Sequence, residues 1–166
     1  REHIRDLMLR LLAECAPLFP SEIQLTMQLH ADPAWKERVR RRCWCTPVWW
    51  RALINAGLLK QLLLAEADQD REWAAWTLGQ LAETDSEAVT SVLRPLVAEG
   101  ILGTRTLAAC LPFNMGHDTP ELARWRFQAQ RRGEKYLHVY EVTHAAQNHP
   151  KAALRFAVHL LRWSLA

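Results

Sequence analysis

The residues best suited to do chemistry in this 166-residue chain crowd into RVRRRCWCTPVWWR, residues 38–51. On a helix, Arg38, Arg41, Arg42 and Cys45 share one face, Arg40 and Arg41 flank Trp44, and Trp35, Val39 and Cys43 form the inward stripe. A guanidinium presents its donors as a planar fork that meets a carboxylate or a phosphate with two bonds, and it stacks on aromatic rings. A row of guanidiniums beside an indole can therefore grip phosphates and stack on bases, or hold the carboxylates of an acidic protein surface. On this ground the expected binding residues are Arg38, Arg40, Arg41, Arg42, Trp44 and Arg51, with Trp44 the one tryptophan expected at the surface. The blander reading makes the arginines a solvated helix face paired with Glu37 and other acids, and makes Trp35, Trp49 and Trp50 core.

Other constellations are poorer. Glu141 and His144 form a Glu-x-x-His pair of the kind that supplies two ligands from one helix of a di-iron bundle, but the sequence has no second copy. His138 and His144 are six apart, which places them on different helix faces, so no metal site is expected. The cysteines, at 15, 43, 45 and 110, make one Cys-x-Cys pair and no Cys-x-x-Cys, excluding a zinc ribbon and a thioredoxin-type motif. Free thiols in a cytoplasmic protein are the expectation. The chain has no GxxxxGK[ST] loop, GxSxG elbow or HExxH motif and holds only four serines, so neither catalytic residues nor a cofactor are expected.

Composition points to the elements that must carry these residues. At 49% hydrophobic and 23% charged, the chain can bury the core of one ordinary domain. Six glycines and eight prolines are too few for a turn-dense β-sandwich, which leaves an all-α protein. The 17 arginines against four lysines, with net charge +3, favour an acidic partner, protein first and nucleic acid second. Lys60 interrupts the best apolar run, 52–65, so no membrane partner is expected. The chain starts at Arg1 and stops at Ala166 within helical pattern, as a piece of a longer protein would.

Asp32-Pro33, Thr46-Pro47, Thr119-Pro120 and His149-Pro150 each put proline one position after an N-cap, where no N–H is needed, and Ser21 with Gln24 resembles a capping box. These starts and the apolar periodicity predict about nine helices, over 2–16, 21–31, 33–45, 47–66, 70–83, 86–99, 120–132, 134–147 and 150–164. The expected architecture is stacked antiparallel helix pairs or an irregular bundle. Residues 1–166 read as one domain, with a possible division into 1–102 and 120–166 about a long connection at 103–119. The helix at 47–66 is apolar on nearly every side and is expected at the centre of the core. In the last helix Leu154, Val158, Leu161 and Leu165 repeat opposite Lys151, Arg155, His159 and Arg162, predicting a surface helix with a basic outer face.

Residues 71–99 resemble one HEAT repeat: Ala74, Ala75, Leu78, Gly79 and Leu81 on a first helix, a short turn, then Ala88, Val89, Val92 and Leu96 on a second. That resemblance implies a non-catalytic helical array that binds other macromolecules, although no second clean copy occurs in the chain. Residues 89–102 are also similar to the recognition helix and following strand of MarR-type winged-helix proteins. That resemblance implies duplex DNA binding through Thr90, Ser91 and Arg94, with the departures that the preceding turn is short and no second wing strand is evident.

Overall fold

A computed structural model describes residues 2–14, 20–111, 119–131, 143 and 146–164. Those residues are all-α: α1 (Glu2–Glu14), α2 (Pro20–Ala31), α3 (Pro33–Arg42), α4 (Pro47–Asn55), α5 (Leu58–Leu63), α6 (Asp68–Leu81), α7 (Ser86–Ala98), α8 (Thr104–Ala109), α9 (Pro120–Arg131) and α10 (Pro150–Ser164), with no strand among them. The proline-marked starts fall where the caps require. The Asp32 carboxylate accepts from the Ala34 N–H at 2.9 Å, the Thr46 hydroxyl from the Trp49 N–H at 3.5 Å, and the Thr119 hydroxyl from the Leu122 N–H at 3.2 Å.

Four expectations are corrected. The apolar stretch 47–66 is two helices, because Gly57 adopts φ +73° and its N–H closes α4 on the Ile54 carbonyl at 2.8 Å. Residues 104–109, expected within a connection, form α8 and pack on α6 and α9. Helix α2 begins at Pro20, so Ser21 lies inside the first turn instead of capping it. Helix α3 ends at Arg42, three residues early: the N–H groups of Cys43 and Trp44 both reach back to the Val39 carbonyl, at 2.9 and 3.0 Å, and the chain turns. Glu141, His144, His138 and Cys15 lie outside the described residues, as does most of the helix expected at 134–147.

Residues 1–59 form one compact unit and 60–166 another, the division falling inside α5. In the first unit α1 and α2 both pack on α3. Leu9, Val39, Cys43, Trp44 and Trp49 are buried, and the tryptophans find acceptors for their indole N–H groups. Trp49 donates to the Ala13 carbonyl at 3.2 Å and Trp50 to the Trp44 carbonyl at 2.8 Å. On the far side of α1, Ile4, Leu7, Met8 and Leu11 stay exposed.

In the second unit α6 packs on α7 and α8, and α9 packs on α7, α8 and α10. Small residues let α6 approach its neighbours: Ala74 and Ala75 are buried, and at Gly79 an added Cβ would stand 2.9 Å from the Ala109 carbonyl oxygen. Helix α9 buries Leu122, Ala123, Trp125, Arg126 and Phe127. Two of the predicted inward faces turn outward instead. Trp76 is 54% exposed, and α10 buries Ala153 while Leu154 and Leu161 stand 66% and 62% exposed, so its apolar stripe lies outside the packed side.

Candidate functional site

Helix α3 carries its arginines toward its C-terminal end, where cations complement the helix dipole. Arg38, Arg41 and Arg42, spaced three and four apart, line one hollow of about 410 Å³ together with Glu37 of the same helix and Asp6 of α1. The Arg41 Nε donates to Glu37 Oε1 at 2.6 Å, and both side chains are well exposed. Such an exposed pair contributes roughly 0.5 kcal/mol or less, so a carboxylate from outside can take the place of Glu37 at little cost. The cation–π contact of Arg5 with Trp35, 5.4 Å from guanidinium carbon to ring centre, adds a second tie between α1 and α3.

Charge is unevenly divided. Residues 1–59 hold nine Arg and Lys against six Asp and Glu, whereas residues 60–166 hold twelve of each, so the entire formal charge of +3 belongs to the unit that contains the hollow.

Two of the expected binding residues turn inward. Arg40 is buried and its Nε donates to His30 Nε2 at 3.0 Å, a bond that requires a neutral imidazole with its proton on Nδ1. Trp44 is 1% exposed, stacks on His30 with ring centres 4.5 Å apart, and donates from its indole to the Thr26 hydroxyl at 3.2 Å; Thr26 in turn donates to the Ile23 carbonyl. The physical reason is the turn after Arg42: once the chain leaves the helix, the consecutive side chains of Cys43 and Trp44 both enter the core. Arg51 is exposed on α4 and does not line the hollow.

Of the three residues expected to face DNA, all on α7, Thr90 turns inward while Ser91 and Arg94 stay exposed. Thr90 is fully buried, with its hydroxyl 2.8 Å from that of Thr119. Ser91 is exposed and donates to the Ala88 carbonyl, and Arg94 pairs with Glu121 of α9 at 3.1 Å. Residues 99–103, where the winged-helix resemblance places a strand, form a turn and a bend, and α8 follows at Thr104.

Asp6, His30 and Thr26 were not singled out by the sequence. Each acquires its place from a helix that meets α3 only in the folded unit, and no local spacing marks them. Burial pushes the Cys43 thiol up to about 11, with neighbouring Cys45 adding to the shift, so this sulfur is a protonated donor to the Leu9 carbonyl at 3.3 Å and no nucleophile. Among the described residues no group of three or more His, Cys, Asp or Glu is placed to hold a metal ion, and no helix is long and apolar enough to cross a membrane. Comparison of the chain with protein-family models, curated proteins and solved structures returns no match.

Proposed function

We propose that this chain is a non-catalytic interaction module that offers the Arg38, Arg41 and Arg42 face of α3 to an acidic protein partner. The observation that carries the reading is the shared hollow: three guanidiniums converge on one concavity whose Glu37 is a weakly held internal stand-in for a partner carboxylate. Packing of α1 and α2 on α3 holds the backbone of that row, so less order must be imposed on binding. Nucleic acid is the less favoured partner, because burial of Trp44 removes the ring on which bases would stack.

The test is fluorescence anisotropy of a labelled 20-residue poly-glutamate peptide and of a random-sequence 20-base-pair duplex across a salt series. The peptide is expected to bind and to be released as salt rises, and to bind more tightly than the duplex at matched ionic strength. Duplex binding tighter than peptide binding would replace this reading with nucleic-acid recognition, and binding of neither would overturn both.

A further inference from the structure

Helix α10, in the other compact unit, presents a face that the α3 hollow does not use. Its sequence, PKAALRFAVHLLRWS, contains Lys151, Arg155 and Arg162 and no Asp or Glu across 15 residues. The structure turns Ala153 inward and leaves Leu154, Val158 and Leu161 exposed at spacings of four and three, a ridge along one line of the helix. The ridge runs for about 10 Å, seven residues at 1.5 Å rise. Lys151 and Arg155 are exposed, and both lie to the same side of that line by helical position. The opposite side of the ridge leads through Ala157 to the buried Ala153, and α10 is packed on α9.

We infer that α10 docks, by its Leu154, Val158 and Leu161 ridge, into an apolar groove of a protein partner that carries Asp or Glu along one rim. Charge selects this occupant. A second copy of α10 would set Lys151 and Arg155 near the same cations with no carboxylate on the helix to answer them. The exposed apolar face of α1 gives no such selection, since a cation, Arg10, and an anion, Glu14, both border it by helical position. A lipid surface is also disfavoured. An interfacial helix sinks its apolar face several ångströms into the headgroup boundary, whereas this helix is held against α9 and offers three anchors with cations along only one edge. A groove with one acidic rim matches that asymmetry, and the anchors read as the spaced contacts of a helix in a groove.

The experiment uses the full chain and two labelled 18-residue amphipathic helical peptides with the same leucine stripe, one carrying Glu and the other Lys along one edge. Vesicles of phosphatidylcholine with one quarter phosphatidylserine form the third arm. The Glu peptide is expected to bind at least about tenfold more tightly than the Lys peptide. Leu154→Ser/Val158→Ser/Leu161→Ser, which changes only exposed side chains, is expected to leave the protein folded by circular dichroism and to abolish that binding. Lys151→Glu/Arg155→Glu is expected to reverse the preference between the two peptides. Equal binding of both peptides, no binding of the Glu peptide, retention in the triple-serine variant, or binding to vesicles in preference to peptide would each overturn the inference. In Arg38→Ala/Arg41→Ala/Arg42→Ala, which takes away the carboxylate-binding row of α3, the Glu peptide is expected still to bind more tightly than the Lys peptide, because the ridge and its cations lie on α10 alone. Loss of that preference in this variant would instead assign the peptide to α3 and overturn the α10 site.

Discussion

Cys43 and Cys45 stand two positions apart and should behave oppositely. Cys43 is buried with its thiol near 11, and Cys45 is exposed. Mass spectrometry after iodoacetamide treatment of the folded protein at pH 8 is expected to find Cys45 alkylated and Cys43 intact; rapid alkylation of Cys43 would contradict the buried placement. The same shift has a sign. Because the folded state holds the Cys43 proton at pH values where the unfolded thiol has lost it, its contribution is complete below about 9 and is lost as pH rises toward about 11. A Cys43→Ser variant should therefore show a shallower loss of stability over that alkaline window. Trp44 makes a second residue-scale case. Trp44→Ala is expected to cost about 3–5 kcal/mol in chemical denaturation, as for a buried aromatic, and Trp44→Phe less, chiefly the bond to Thr26. A stability change below about 1 kcal/mol for Trp44→Ala would return this indole to the surface. The composition of residues 38–51 reveals a guanidinium and indole cluster, but the side on which Trp44 falls depends on the chain leaving helix at Arg42, which helical spacing alone does not encode.

At the scale of elements, glycine decides two junctions. Gly79 lies inside α6, where an alanine would ordinarily favour helix by about 1 kcal/mol. Here the new methyl would meet backbone, with the Ala109 oxygen at 2.9 Å and the Leu111 oxygen at 3.4 Å, and backbone cannot move aside as a flexible side chain would. Overpacking at a cost of about 1–3 kcal/mol outweighs the propensity gain, so Gly79→Ala should lower the melting temperature, and a rise would contradict the close approach of α8 to α6. Gly57 has open space around it, and its φ of +73° is what requires glycine where α4 ends. Helix starts were legible because an N-cap followed by proline is local chemistry, and Asp32, Thr46 and Thr119 all act as caps. The break at Gly57 and helix α8 were not: an apolar run gives no hint of a left-handed residue within it, and α8 is a short helix whose packing on α6 and α9 sequence periodicity does not reveal. On α10 the basic outer face was legible, with Lys151 and Arg155 exposed, but the exposure of Leu154, Val158 and Leu161 was not, since a regular Leu and Val stripe signals burial without saying whether the folded chain supplies the cover.

For the molecule as a whole, the composition alone makes an all-α chain legible, and the division at residue 59 then gives the charge a meaning that the total of +3 conceals. The first unit is basic and holds the α3 hollow, while the second is balanced overall and concentrates its cations locally, as on α10. An acidic partner held by the first unit should consequently depend on ionic strength through few residues, and the arginines lining one hollow are the ones that should matter. The most direct measurement is the dissociation constant of the labelled poly-glutamate peptide at low salt for the unaltered chain and for Arg38→Ala/Arg41→Ala/Arg42→Ala, with circular dichroism showing both folded. Loss of three charge-assisted contacts predicts weakening by at least about tenfold and a flatter salt dependence. Equal dissociation constants in two folded proteins would contradict the account, because the α3 hollow would then have no part in recognising acid.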